Sequence, residues 1–178
     1  MAGRGLVPEE LLFVDGYNIL GAWPETPRLQ GVGLDAAREV LIERIADHCG
    51  YLGHPVILVF DAHLTRDPEH SEQFGELEVV FTAPGCTADQ YIERRVALLR
   101  GKAKVRVASS DALVQGTIMT YGGLRVSARE FLEEMERCRK DNLKRQHSAQ
   151  PIKAHLLDER LDPELRCRLE RLRRQGRG

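Results

Sequence analysis

Four aspartates, Asp15, Asp61, Asp89 and Asp111, stand where stretches of regular structure should end or begin. Asp15 closes the apolar run Leu11–Asp15 (LLFVD), and Asp61 follows Pro55–Phe60 (PVILVF). Asp111 comes just after Lys104–Ser109 (KVRVAS), and Asp89 falls in the first turn of a helix opened by Thr87. If these runs are parallel strands, their carboxyl ends share one edge of a sheet, which is where open α/β sheets hold their ligands. Carboxylates gathered there repel one another unless a cation neutralises them. Oxygen donors with no His or Cys among them favour Mg²⁺ or Mn²⁺. Sites of this kind act on phosphates, the metal activating water and supporting in-line attack. Each residue also has an ordinary alternative. Asp111 could cap the helix it precedes, Asp61 could be a turn acid, Asp89 could be a favourable charge at a helix start, and Asp15–Gly16 could be turn punctuation. The chemical reading gains because all four fall on one side of the expected sheet.

Other residues join the candidate site with less force. Asn18 is either a turn residue or an amide oriented toward a metal-bound water. Tyr17 and Trp23 have the side chains to stack on unpaired bases, while Trp23 in GAWPETP serves equally as an anchor for its own loop. Arg125, Ser127 and Arg129, after Gly122–Gly123, form either a phosphate grip at a helix start or a glycine-capped turn with surface arginines. His63 stands beside the expected site and is equally an ordinary surface histidine. Neither a phosphate-binding glycine loop nor a Ser–His–Asp or Cys–His arrangement is present, which sets aside nucleoside-triphosphate and acyl-transfer chemistry.

The elements that must position these residues are readable from pattern. Leu11–Asp15, Pro55–Phe60, Leu77–Thr82 and Lys104–Ser109 read as strands, the first three as near-continuous apolar runs, as suits a sheet covered on both faces. Leu34–Leu52 has a helical period through Leu34, Ala37, Leu41, Ile45, Cys49 and Leu52. Thr87 with Gln90 is a capping box for a helix to about Leu99, and Ser127 with Glu130 is another, for a helix turning Phe131, Leu132, Met135 and Cys138 inward. Asp111–Tyr121 reads as a further helix closed by Gly122–Gly123. After a break near Gln150–Pro151, Asp162, Pro163, Leu165, Leu169 and Leu172 mark a last amphipathic helix. Strands alternating with helices predict an α/β domain with a mostly parallel sheet.

At 178 residues and 42% apolar, the chain suits one domain with an extension. No run has the ~20 apolar residues that span a bilayer, and no signal-peptide pattern opens the sequence, so a cytoplasmic location is expected. Cys49, Cys86, Cys138 and Cys167 are scattered, which favours free thiols over a zinc site or a disulfide framework. Charge is unevenly spread. Residues 1–136 hold 13 Lys+Arg and 21 Asp+Glu, net −8, whereas residues 137–178 hold 13 and 6, net +7. This is either an acidic body with a basic arm or a solvated helical tail.

The wording of five blocks narrows the reading: VDGYN (Val14–Asn18), VFDAH (Val59–His63), TADQYIER (Thr87–Arg94), ASSD (Ala108–Asp111) and GGLRVSARE (Gly122–Glu130). Together, and in this order, they resemble the YacP-like branch of the NYN domains, PIN-like ribonucleases of bacteria, over about residues 11–145. The resemblance implies a three-layer α/β/α PIN-like fold over residues 9–145, with residues 146–178 as a basic helical extension. It also implies Mg²⁺-dependent (or Mn²⁺-dependent) endonucleolytic cleavage of RNA. Asp15, Asn18, Asp89 and Asp111 would carry the catalysis. Asp61 matches a metal-binding acid that only some PIN-like relatives use. Ribosome association, with mRNA as the substrate, is implied by the resemblance alone. The competing expectations are an RNA- or ribosome-binding adaptor with little catalysis, and a phosphatase of small molecules, which leaves the basic tail without a role.

Overall fold

The computed structural model describes residues 8–26, 33–62, 68–111, 116 and 118–148. The chain divides into two compact units, Met1–Arg139 and Lys140–Gly178. The first unit is built on a six-stranded sheet. In chain order its elements are β1 (Glu10–Asp15), α1 (Gly16–Ala22), α2 (Leu34–Leu52), β2 (Val56–Phe60), β3 (His70–Phe74), β4 (Leu77–Phe81), α3 (Ala88–Leu99), β5 (Lys104–Ala108), β6 (Leu124–Val126) and α4 (Ala128–Ser148), which runs into the second unit.

The strands lie in the order β3-β4-β2-β1-β5-β6. All neighbours run parallel except β3, which pairs antiparallel with β4. The alternation of side chains sorts the core into two layers. Leu12, Val14, Leu58, Phe60 and Val79 face one side, where α1, α2 and the start of α4 cover them with Ile19, Leu41, Ile45 and Phe131. Phe13, Ile57, Val59, Val80 and Val107 face the other, against Tyr91, Ile92 and Val96 of α3 and the buried Ile118. Helices on both faces give the expected three-layer α/β/α arrangement. Arg106 of β5 bonds Glu134 of α4 at 2.8 Å and helps hold that helix to its layer.

Four strands were expected and six are found among the described residues. β3 (HSEQF) is exposed along its whole length, so it has no buried face to impose a pattern. β6 is only three residues long. Also unexpected is α1, seven residues with two glycines, too short to display a period and poor in helix propensity. It stands because Asp15 caps it and because Ile19 and Leu20 are buried. Both expected capping boxes form, Thr87 with Gln90 and Ser127 with Glu130. Trp23 is buried with the Arg44 guanidinium 5.9 Å from its ring, an anchor for its loop. Cys49, Cys86 and Cys138 are free thiols. The expected Asp111–Tyr121 helix is helical at 116 and 118–120; its residues 112–115 and 117, together with His63, Cys167, the break near Gln150–Pro151 and the helix marked by Asp162, Pro163, Leu165, Leu169 and Leu172, lie outside the described residues.

Gly16 has a steric reason. A Cβ at this position would run into the ring of Phe60, with Cζ only 2.8 Å away. Phe60 is fully buried, so its ring has nowhere to retreat. Gly16→Ala is therefore expected to cost about 1–3 kcal/mol of stability through overpacking, despite the usual gain of replacing glycine in a helix. Urea unfolding of the two proteins measures this; a variant as stable as the parent would show that α1 can lift away from β2.

Candidate active site

The parallel strands bring their carboxyl ends to one edge. Asp15 is the last residue of β1 and is buried. Its Oδ1 accepts the Asn18 backbone N–H at 3.0 Å, which caps α1. Burial pushes the Asp15 carboxyl up to about 6; the Asn18 bond works against this, while Asp89, Asp61 and Asp111 each add to the rise. The four acids therefore share one electrostatic environment. Asp89, in the first turn of α3, is also raised, by burial first and then by Asp111, Asp61 and Glu93. Its Oδ1 is buried and finds no hydrogen-bond partner among the described residues.

Asp61 and Asn18 hold the edge together. Oδ1 of Asp61 accepts the backbone N–H of Ala88 and so tethers the end of β2 to the start of α3. The Asn18 side-chain oxygen accepts the Ser110 N–H at 2.9 Å, joining α1 to the loop after β5. That loop is fixed further from within. Ser109 Oγ accepts the Asp111 N–H at 3.1 Å, and Ser110 Oγ accepts the Ala128 N–H at 3.1 Å at the start of α4. Thr82, buried after β4, accepts from the Ala62 N–H at 3.1 Å and donates to the Cys86 carbonyl at 2.6 Å. Sequence reasoning passed over Thr82, Ser109 and Ser110. The hydroxyls of ASSD beside an acid at a strand end were the available signal.

The remaining candidates are placed as follows. Tyr17 is half-buried, edge-on to Phe60 with centroids 5.3 Å apart, and its hydroxyl accepts from Arg38 at 3.3 Å. Arg125 is exposed on β6, whose Val126 carbonyl accepts the Ser109 N–H at 3.1 Å, so this strand flanks the acid edge. Ser127 donates its hydroxyl to Glu130 at 2.6 Å within the capping box, and that bond holds the Glu130 carboxyl below its usual range. Arg129 is exposed and pairs with Glu133 at 3.0 Å.

A cation at this edge would meet carboxylate oxygens alone, which suits Mg²⁺ or Mn²⁺. Two observations fit that use: the unpartnered buried oxygen of Asp89, and the raised carboxyl of Asp15, each a cost that a divalent ion would remove. Among the described residues no three such groups are drawn into a closed ligand set, as mutual repulsion would have it. Asp61 allows a direct check of its tether. Asp61→Ala should cost about 1 kcal/mol, like the loss of a helix cap, whereas Asp61→Asn keeps an acceptor oxygen and should cost less. Chemical denaturation of both variants decides this; equal losses would mean the charge, and not the acceptor, holds α3.

Among the described residues no helix is long and apolar enough to cross a membrane. Residues 12–174 match the family model of the YacP-like NYN domain. The uncharacterised protein YacP of Bacillus subtilis is 43% identical over 128 residues, covering 71% of this chain and 75% of its own. The crystal structure of Rae1 (YacP) from Bacillus subtilis superposes with a TM-score of 0.64 at 38% identity, over 92% of this chain and 94% of that one. A crystal structure of the same Bacillus protein with one tryptophan replaced by leucine gives 0.67 at 33% identity, over 92% and 99%. With the acid edge on a PIN-like sheet and a family match running through nearly the whole sequence, this chain belongs to the YacP-like NYN domain family.

Proposed function

We propose that this protein is a metal-dependent endoribonuclease acting on single-stranded RNA, with mRNA at the ribosome as its setting. One observation carries the catalytic part. Carboxylates from the ends of β1, β2 and β5 and from the start of α3 lie close enough that three of them raise the fourth. Asp15 and Asp61 each cap a helix start, but capping needs no cluster, and the mutual repulsion of four acids is a cost that a bound cation would offset. Asp15, Asp89 and Asp111 would hold one or two Mg²⁺ or Mn²⁺ ions, with Asp61 as a further donor. The bound ion would supply an activated water and offset charge on the leaving oxygen. The chain's own residues set the geometry. Asn18 and Ser109 fix the loop that carries Asp111, and Asp61 fixes the helix that carries Asp89. Arg125 and Arg129, exposed beside the edge, would meet backbone phosphates of the RNA. The ribosome and mRNA are supported by the family resemblance.

Turnover of a single-stranded RNA in Mg²⁺ against EDTA, beside a mononucleotide, tests the reading. Internal cleavage that needs metal supports it. Hydrolysis of the mononucleotide alone would make this a phosphatase. The competing reading is an RNA- or ribosome-binding adaptor of the same fold; RNA bound but uncut in Mg²⁺ and Mn²⁺ would establish that instead.

A further inference from the structure

On the face of the sheet opposite α3, three rings stand in one row across three strands. Phe60 of β2 is in register with Phe81 of β4, and Phe81 with His70 of β3. The Phe60 and Phe81 rings are stacked, centroids 5.8 Å apart at 20° between planes. Those of Phe81 and His70 are stacked at 4.9 Å and 19°. Exposure grows along the row, from Phe60 fully buried, through Phe81 half-buried, to His70 exposed. Among the described residues β3 is the edge of the sheet, and no further strand continues the row. Nδ1 of the imidazole lies 3.1 Å from the Pro68 carbonyl, a contact that favours the stacked orientation of the ring. Arg38 reaches the row from α2, its guanidinium 5.8 Å from the Phe81 centroid, while it also bonds the Tyr17 hydroxyl and Asp35.

We propose that this row, ending in His70 with Arg38 alongside, is a stacking subsite for an unpaired base of the RNA whose phosphate lies at the acid edge. The inference rests on the ribonuclease reading and deepens it. Position is the first reason. Phe60 immediately precedes Asp61 and Phe81 immediately precedes Thr82, so the row lies one residue back from the edge. Alternation sends the rings toward the α1–α2 layer, while Asp61 reaches α3. A strand of RNA crossing the end of the sheet would thus set a phosphate at the acids and turn a neighbouring base onto the rings. Chemistry is the second. Bases stack on aromatic faces regardless of identity, and a guanidinium at the row adds cation–π attraction and opposes the acids' repulsion of phosphate. A row serving only to pack the sheet would need no ring on a strand exposed along its whole length.

The test uses the full chain in EDTA and a short single-stranded RNA carrying one 2-aminopurine, moved along the sequence. Fluorescence should be quenched on binding at one preferred position. His70→Ala should abolish that quenching and weaken binding about tenfold, while His70→Phe should retain both. An abasic nucleotide at the quenched position should weaken binding to the unaltered protein by a similar factor, whatever becomes of the alanine variant's folding. Quenching at no position, or quenching and affinity unchanged in His70→Ala with only a lower melting temperature, would overturn the subsite. Cleavage of the same RNA by the unaltered protein in Mg²⁺ separates the two readings. RNA cut but never quenched removes the subsite alone, and RNA quenched but never cut removes the nuclease.

Discussion

Asp15→Asn should abolish RNA cleavage and at the same time make the metal-free protein more stable. The two effects share one cause. A carboxylate buried at the end of β1, with Asp89, Asp61 and Asp111 around it, is costly to ionise, and its carboxyl is pushed up to about 6 from 3.8. The native state therefore keeps this proton up to about pH 6, while the unfolded chain releases it near 3.8. The stability that comes from native protonation is full below pH 3.8 and lost as pH rises through 6. Asparagine has no charge to lose and retains an oxygen for the Asn18 N–H. Its advantage should be absent at pH 4 and should reach on the order of 1–3 kcal/mol above pH 7, since one pKa unit is worth about 1.4 kcal/mol. Asp89→Asn should move stability in the same direction. Activity should fall by at least about 100-fold in either variant, because loss of even an outer-shell partner costs 10–100-fold at a metal site. Mg²⁺ should raise the melting temperature of the parent by linkage and leave Asp15→Asn nearly unmoved. Urea unfolding from pH 4 to 8, with and without Mg²⁺, and cleavage of single-stranded RNA read all of this together. A variant that cuts at the parental rate would remove Asp15 from the site.

How much of this could be read in advance depended on burial. β1, β2 and β4 announce themselves as runs of apolar residues because both their faces are covered; β5 does so by alternation, with Arg106 emerging toward Glu134. α2 and α3 announce themselves by period and capping. β3 has neither, because sheet pairing alone holds it, and pairing leaves no mark on side-chain type. The acids were readable because an aspartate after a buried strand is a local feature. What they bond was not. Asp61 meets the Ala88 N–H across 27 residues and Asn18 meets the Ser110 N–H across 92, through backbone groups that every residue carries. Tyr17 shows the converse. Its type suggests a stacking surface, but its place against Phe60 is set by the close approach that Gly16 permits. The ring row of Phe60, Phe81 and His70 likewise exists only through the register of three strands.

The largest effect on binding should come from the chain's other charge pole. Residues 1–136 carry a net −8 and residues 137–178 a net +7, so long-range attraction of RNA is expected from the latter, with Arg38, Arg125 and Arg129 acting only at close range. Along α4 part of that charge is already answered by neighbouring acids, Arg139 by Glu136 at 2.8 Å and Lys144 by Asp141 at 3.6 Å. Residues 151–178 add eight Lys and Arg against five Asp and Glu. We propose that this segment is an arm for RNA or the ribosome, and that removing it leaves the nuclease domain folded. Each phosphate that the arm no longer neutralises flattens the slope of log K against log salt by roughly 0.7–0.9. Giving up about four phosphates would flatten it by about 3 and weaken binding about a thousandfold near 0.1 M salt. Cleavage of a short RNA at saturating concentration should survive, since the acid edge is built wholly from residues before 128. A salt series on RNA binding beside a melting curve decides the matter. If the segment serves only to pack, truncation lowers the melting temperature and leaves the slope as it was, and an unchanged slope retires the arm.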